Sequence, residues 1–213
     1  MSDKSDPPSG WRGSPEIWLQ AAYDALISGG IEAVKILPLA TRLRLARTSF
    51  YWHFKDREDL LAALARRWIG RTSAPLIAAT EAYAETEAEA LLNVIGCFLD
   101  PEGFDDRLEF AVRGWALGDA AMLERLRAED ARRLAALAAM LGRWGHAPED
   151  ADTRARAIYM VQIGYISMQE RESLATRMAR IPHYVRIYGG RAEPSARELA
   201  RFHARLGYRP EEG

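Results

Sequence analysis

The sequence VKILPLATRLRLARTSFYWHF, residues 34–54, holds two short helical patterns joined by a three-residue turn. The first pattern covers 36–43 and the second covers 47–54. Phe50 and Phe54 stand four residues apart in the second pattern, so they share one helical face and are expected to point inward. The stretch therefore predicts two short helices that pack on a common apolar centre.

A longer helix is predicted on each side of this pair. Residues 14–16, Ser-Pro-Glu, are typical of a helix start, and the glycines at 29–30 are typical of a helix end. Asp56 is expected to cap a helix that runs to Arg71. Two short helices behind a longer one follow the helix-turn-helix plan, in which the second short helix lies in the major groove of DNA.

The rest of the chain is rich in Ala, Leu, Arg and Glu, which favour helices, and it shows no long alternating strand pattern. We expect five further helical segments: 75–99, 106–117, 120–143, 150–179 and 195–206. The predicted fold class is all-α, with a three-helix N-terminal helix-turn-helix DNA-binding head followed by a larger helical body. The expected parts are a disordered leader 1–13, the helix-turn-helix domain 14–60, an effector-binding and dimerisation body 61–207 and a tail 208–213.

The composition and the apolar runs indicate which class of protein this is. The 213 residues are 48% hydrophobic and 28% charged, as in an ordinary globular protein. No apolar run approaches the roughly 20 residues that a membrane span needs. The N-terminus also lacks the apolar core of a secretion signal. We therefore expect a cytoplasmic protein that does not enter a membrane.

Signals of catalysis and of metal binding are weak. The single cysteine, Cys97, excludes an intramolecular disulfide and a Cys-rich zinc site, and it has no adjacent histidine that would activate it. His146, His183 and His203 are scattered along the chain. The sequence contains neither a phosphate-binding Walker loop nor a dinucleotide fingerprint. We expect neither an enzyme nor a metal or other cofactor.

The charges are unevenly distributed, although the formal net charge is only −1. Residues 34–57 carry six basic side chains against one acidic side chain, whereas residues 72–213 carry 18 basic and 22 acidic ones. A compact basic stretch is a candidate surface for phosphate groups. The alternative is an ordinary solvated helical surface, and charge alone does not separate the two.

The residues of the head resemble a known family. The stretches 30–34, Gly-Ile-Glu-Ala-Val, and 48–61, which opens Thr-Ser-Phe-Tyr-Trp-His-Phe-Lys-Asp-Arg, resemble the N-terminal DNA-binding region of the tetracycline-repressor (TetR) family. Leu39-Ala40 and Leu45 fit the same pattern. The resemblance covers about residues 14–65. It implies a DNA-binding transcriptional regulator, usually a repressor.

The resemblance also implies which residues contact double-stranded DNA. The implied set is Lys35, Arg44, Arg47, Thr48, Ser49, Tyr51, Trp52, His53, Lys55 and Arg57. Arg47, Thr48 and Ser49 would face bases or nearby phosphates, and the residues from Tyr51 onward would contact the sugar-phosphate backbone. Core packing remains an alternative for Tyr51 and for Trp52, and a buried site remains one for His53.

Three positions of the head depart from the family pattern. The turn carries Arg44 in place of the usual glycine, and Ala46 and Lys35 stand where Ser or Thr usually caps a helix. If the turn needs a positive φ, Arg44 is strained there by about 1 kcal/mol or more. These departures keep a second function open, namely a helical small-molecule-binding module with weakened DNA binding.

The resemblance implies a homodimer that binds an inverted-repeat operator and is released by a small effector. The dimer would form through the last two long helices, at 150–179 and 195–206. One helical face of the first of these carries Ile158, Val161, Tyr165 and Met168, and it is either dimer interface or core. Bulky side chains concentrate in the body and predict a pocket for a small hydrophobic effector, with core packing as the alternative. The pocket candidates are Phe98, Phe110, Trp115, Met122, Met140, Tyr159, Gln162, Tyr165 and Met168.

Overall fold

The computed structural model describes residues 13–100, 102–170, 172–190 and 193–209. Within these ranges the secondary structure is helical without any strand, which confirms the all-α prediction. The helices are α1 Pro15–Gly29, α2 Ile36–Leu43, α3 Arg47–Phe50, α4 Arg57–Arg71, α5 Ser73–Glu81, α6 Glu87–Leu99, α7 Asp106–Ala116, α8 Ala120–Arg143, α9 Pro148–Met168, α10 Leu174–Gly189 and α11 Ala196–Arg205. Among the described residues, none of the helices is both long and apolar enough to cross a membrane. The predicted leader, apart from Gly13, and the end of the predicted tail lie outside the described ranges.

The chain divides into two compact units, with the division between Arg67 and Trp68. This division falls inside α4, so the last residues of that helix belong to the second unit. The first unit contains the predicted helix-turn-helix. The first unit also contains residues 61–67 of the predicted body, and the second unit contains the rest of that body.

Aromatic rings form the core of the first unit. Trp18 of α1 and Phe50 of α3 are both fully buried, and their rings meet edge to face with centroids 5.3 Å apart. Phe54 stacks on Phe50 at 5.5 Å. Side-chain hydroxyl or carboxyl groups cap the flanking helices, because Ser14 accepts a hydrogen bond from Ile17 N–H, and Asp56 caps the start of α4. The helices that hold the head together are thus fixed both by packing and by caps.

The second unit has one large apolar core. Buried residues of α5, α6, α8, α9 and α10 meet there, including Leu76, Leu91, Leu137, Ile158 and Val185. The antiparallel pair of α8 and α9 supplies the longest packed helices of the unit. Helix α11 covers α6 through its buried aromatic and carboxylate side chains. The body is therefore a helical bundle with a C-terminal helix on one side.

Three predicted helices have different bounds in the structure. The α-helical part of 47–54 ends at Phe50, since the chain turns at 51–53 before α4. The predicted helix 75–99 is wrong as one element: α5 ends at Glu81, and Thr86 caps the new helix by accepting from Glu89 N–H at 3.1 Å. A side-chain cap fixes a helix start, and it separates two helices with similar composition.

The predicted helix 150–179 is also two helices. α9 ends at Met168 because Gln169 adopts a left-handed conformation, with φ 51°. Ser173 then caps α10, which continues to Gly189 with Pro182 in its interior. The prediction missed this break because the intervening residues are neither glycine nor proline, which are the usual signals of a helix end.

Candidate nucleic-acid interface and a buried polar network

The turn between α2 and α3 has the backbone geometry that the family pattern anticipates. Arg44 adopts φ 55° and ψ 37°, which is the left-handed region. Its N–H donates to the carbonyl groups of Ala40 and Thr41, and Leu45 N–H donates to Ala40 O at 3.0 Å. These bonds satisfy carbonyls at the end of α2. Because the residue is not glycine, the conformation costs about 1 kcal/mol or more.

Helix α3 is a single turn and starts without a side-chain cap, because its N-cap residue is Ala46. Arg47 and Thr48 are exposed at its start. Ser49 is buried, and its hydroxyl donates to Ala46 O at 2.6 Å. The structure therefore places two of the three predicted base-facing residues on the surface and puts the third inside the head.

Two large aromatic side chains lie on the surface directly after α3. Tyr51 is 47% exposed and Trp52 is 64% exposed, so the structure places them at the surface rather than in the core. Lys55 is also exposed, and His53 is half-buried. An exposed tryptophan beside cations is typical of a surface that binds another molecule.

Lys35 is the residue directly before α2. Its side chain is exposed and forms an ion pair with Glu32 at 3.6 Å. An exposed pair of this kind is weak, so the lysine remains available to an anion.

The Arg57 side chain forms hydrogen bonds within the head. Its Nε donates to Val34 O at 2.6 Å and its Nη2 donates to Ile31 O at 3.0 Å. These carbonyls lie in the connection between α1 and α2, so Arg57 ties the start of α4 to that connection. The predicted phosphate contact would compete with these two bonds.

The predicted pocket residues are distributed between the interior and the surface of the body. Trp115, Met122, Met140, Tyr159 and Gln162 are buried, whereas Phe98 and Tyr165 are half-buried. Phe110 is 42% exposed and Met168 is 76% exposed. Met140 and Tyr159 belong to the main apolar core, with Phe98 packed against it.

A buried charge network occupies the interior of the body. Arg133 of α8 and Glu109 of α7 have fully buried side chains and form an ion pair at 2.9 Å between Nη1 and Oε1. Trp68 Nε1 donates to the second carboxylate oxygen of Glu109 at 2.6 Å. Arg133 also donates to the hydroxyl groups of Thr72 at 2.7 Å and Ser73 at 2.9 Å. The ends of α4 and α5 thus meet α7 and α8 through polar contacts.

Arg113 and Asp130, whose side chains are partly exposed, extend the network towards solvent, and the buried Tyr159 joins them to Arg133. Arg113 donates to Glu109 and to both oxygens of Asp130, and Tyr159 OH donates to Asp130 Oδ1 at 2.6 Å. Arg133 Nη1 donates to Tyr159 OH at 2.7 Å. The two arginines face two carboxylates, so the network is balanced in charge.

The protonation states within the network follow from burial and charge. Burial alone would lower the pKa of Arg133, but Glu109 and the Tyr159 hydroxyl together outweigh burial and raise that pKa. Burial raises the pKa of Tyr159, so its hydroxyl is protonated at neutral pH and can donate to Asp130. This network was not predicted from the sequence. The only sequence signals were the i, i+4 pair Glu109 and Arg113 and the i, i+3 pair Asp130 and Arg133, which more often mark an exposed helix face.

Metal-ligating side chains and the cysteine were the remaining candidates for reactive groups. No group of three His, Cys, Asp or Glu side chains is arranged there to hold a metal ion. Burial raises the pKa of Cys97 to about 12, so its thiol is protonated and unreactive at neutral pH.

The sequence of the head is similar to that of a known protein family. Residues 19–64 match the sequence profile described as bacterial regulatory proteins, tetR family. A search of curated proteins found no match. Among solved structures, AmtR of Mycobacterium smegmatis is similar at 19% identity and a TM-score of 0.61, over 96% of this chain and 100% of that one.

Two further solved structures share the fold. A putative TetR-family transcriptional regulator from Rhodococcus sp. is 16% identical with a TM-score of 0.62, over 82% of this chain and 98% of that one. GusR of Salmonella enterica is 14% identical with a TM-score of 0.61, over 96% of this chain and 100% of that one. The helix-turn-helix segment therefore matches the tetR family of bacterial regulatory proteins, and the chain as a whole has the fold of the solved TetR-family regulator from Rhodococcus sp..

Proposed function

We propose that the protein is a sequence-specific DNA-binding regulator that acts in the cytoplasm as a repressor and has no catalytic role. The observation that carries the proposal is the exposed group of Arg47, Thr48, Tyr51, Trp52 and Lys55 on and after α3. The aromatic core behind α3 holds this group in place. An arginine at the start of a recognition helix suits guanine, whose O6 and N7 accept two hydrogen bonds from one guanidinium group.

Exposed cations on both sides of α3 support the phosphate contacts. Lys35 lies just before α2 and Lys55 just before α4, and both are exposed. Phosphate contacts fix the register of a protein on the duplex and carry no sequence information of their own. We therefore assign Lys35 and Lys55 to anchoring, and Arg47 and Thr48 to base recognition.

The proposed assembly is a homodimer on an inverted repeat. Met160 and Met168 of α9 and Leu174 and Ile187 of α10 are exposed apolar side chains. In contrast, Phe202 of α11 is buried within its own subunit. We therefore propose that α9 and α10 form the dimer interface. A two-fold dimer presents two heads to two half-sites of matching symmetry.

The proposed effector is a small, largely hydrophobic molecule that binds in the body and lowers DNA affinity. A hydroxyl or carbonyl group of the effector would reach Gln162 or Tyr159, both buried. Tyr159 already bonds to Arg133 and Asp130, so an effector that binds it must rearrange the network. A ligand changes DNA affinity only if it prefers one protein conformation to another, and such a rearrangement is one way to create that preference.

The second candidate function is a helical small-molecule-binding module with weakened DNA binding. The strained backbone of Arg44 and the absence of a side-chain cap at Ala46 favour it. Both features lower the stability of the short recognition helix.

Selection of bound sequences from a random DNA duplex pool tests the proposal. Purified protein is expected to enrich one inverted repeat, and an Arg47→Ala, Thr48→Ala double variant, with both changes at exposed positions, is expected to enrich it far less. Sedimentation of the complex is expected to show two chains per duplex. If the protein enriches no sequence while apolar compounds raise its melting temperature, the second function replaces the first.

A further inference from the structure

We propose that Tyr51 is a positioning residue, which holds the Arg47 side chain ready to read a base pair. The inference rests on the proposed DNA-binding function and adds to it the device that sets specificity. It also gives Tyr51 a role different from the sugar-phosphate contact that the family resemblance implies.

The two side chains are joined on the surface of the head. Arg47 Nη2 donates a hydrogen bond to Tyr51 OH at 3.0 Å, and the guanidinium carbon lies 5.8 Å from the centre of the Tyr51 ring. Tyr51 directly follows α3 and keeps a right-handed helical backbone, so it faces the same side as Arg47 four residues earlier. The bond uses one of the five guanidinium N–H groups, whereas a guanine needs two.

A series of aromatic rings anchors Tyr51 to the core. Its ring meets Phe50 edge to face, with centroids 5.3 Å apart and an angle of 87° between the planes. Phe50 is fully buried between Trp18 and Phe54. The exposed Tyr51 is therefore held in place by the interior of the head, and its hydroxyl restrains the Arg47 side chain.

Arg47 needs such support because of where it lies. It is the first residue of α3, a helix of only four residues without a side-chain cap. A free arginine has many side-chain conformations, and ordering them on binding lowers affinity. A guanidinium group that is already oriented avoids part of this cost and also rejects base pairs that do not fit its geometry.

The two possible roles of Tyr51 have different effects on binding. A hydroxyl that contacts a phosphate strengthens binding to every sequence alike. A hydroxyl that positions Arg47 strengthens only the discrimination at the base pair that Arg47 reads. Tyr51→Phe removes the hydroxyl and keeps the ring on Phe50, so it separates the two roles without disturbing the core.

The test measures the DNA affinity of four proteins: wild type, Tyr51→Phe, Arg47→Ala, and the variant that combines Tyr51→Phe with Arg47→Ala. The duplexes are the selected operator and its single-base-pair variants in both half-sites. Tyr51→Phe is expected to reduce discrimination about three- to tenfold at the base pair where Arg47→Ala abolishes it. It is expected to have no further effect in the Arg47→Ala background. A uniform loss at all base pairs, additive effects of the two changes, or no change would overturn the proposal.

Two controls separate this proposal from the proposed function. Tyr83→Phe changes a tyrosine that is 83% exposed in the body and is expected to leave discrimination unchanged. Nitrogen-15 relaxation of the Arg47 side chain without DNA is expected to show more motion in Tyr51→Phe than in wild type, at equal melting temperatures. Equal motion in both proteins would refute the positioning role whether or not DNA binds. If wild type selects no sequence, the DNA-binding function itself fails.

Discussion

The side chains of Glu109 and Arg133 are both fully buried and are paired at 2.9 Å in the interior of the body. Each has further partners, because Glu109 accepts from Trp68 and Arg113, and Arg133 donates to two hydroxyl groups of the α4–α5 junction and to Tyr159. Removing charges from water is costly, and only complete pairing offsets the cost. The network therefore makes the positions of five helices, α4, α5, α7, α8 and α9, depend on one another.

Loss of one charge from this pair is expected to destabilise the protein strongly. Glu109→Gln leaves Arg133 and Arg113 without their shared carboxylate, and the free energy of unfolding should fall by about 3–5 kcal/mol. Urea denaturation measures the change. Arg127→Ala, which breaks an exposed pair with Glu124, is the matched control and should cost less than about 1 kcal/mol. A loss for Glu109→Gln as small as for the control would show that the pair is not buried as described.

Arg57→Gln is expected to weaken the head itself. The change removes charged hydrogen bonds to Ile31 O and Val34 O, each worth about 1.5–3 kcal/mol. Arg57→Lys should restore little, because an ammonium group lacks the planar fork that reaches two carbonyls. Thermal unfolding without DNA checks this, with Lys55→Ala as the control. Equal stability of Arg57→Gln and wild type would favour the phosphate contact predicted from the family resemblance.

Base readers and phosphate anchors are expected to differ in their response to mutation. Arg47→Ala should relax preference at one base pair of each half-site, by about 1–3 kcal/mol per bidentate contact. Lys55→Ala should weaken binding to all sequences and reduce the slope of log affinity against log salt by about one. Competition binding at several salt concentrations measures both. A change of base preference by Lys55→Ala alone would place the recognition surface elsewhere.

His146 is expected to make stability depend on pH. Its Nε2 lies 2.5 Å from Glu87 and its Nδ1 lies 2.8 Å from Asp150, so it joins the starts of α6 and α9. Burial alone and nearby Arg154 lower the pKa of His146, but the two carboxylates outweigh them and raise it above 6.5. Because the folded pKa is raised, the stabilisation is fully present below the unfolded pKa. It is lost as pH rises through the folded value.

The comparison of wild type with His146→Gln tests this sign. The difference in unfolding free energy should be largest near pH 5.5 and smaller near pH 9. His183→Gln, at an exposed histidine of α10, is the control. A difference that grows with pH would mean that His146 is neutral in the folded protein.

The sequence was sufficient for the elements that local signals specify. α2 has the predicted bounds because Pro38 fits the first turn of a helix and the spacing of the apolar residues indicates how far the helix extends. The caps at Ser14 and Asp56 were also predicted. The left-handed conformation of Arg44 stood only as a condition, suggested by the glycine that the family usually has there, because arginine itself does not indicate it.

The parts that could not be predicted depend on contacts between distant residues. Arg57 is the last residue of the basic stretch 34–57, which suggests a phosphate contact, but its side chain donates to carbonyls more than twenty residues earlier in the chain. Glu109 and Arg133 come together only when α7 and α8 pack, and charged residues on a helix usually face water. Helix spacing cannot show which charged face becomes buried.

At Arg44 the residue that would best relieve the backbone strain differs from the residue that keeps a positive charge. Glycine there would relieve the left-handed strain, but it would enlarge the unfolded ensemble and remove an exposed cation from the basic stretch. Asparagine, which tolerates the same conformation better than arginine, would also remove the charge. Selection for a longer-lived fold and selection for tighter occupancy of DNA therefore favour different residues at this turn. A screen of Arg44 variants for stability alone, or for DNA affinity alone, will reveal which of these two properties the arginine serves.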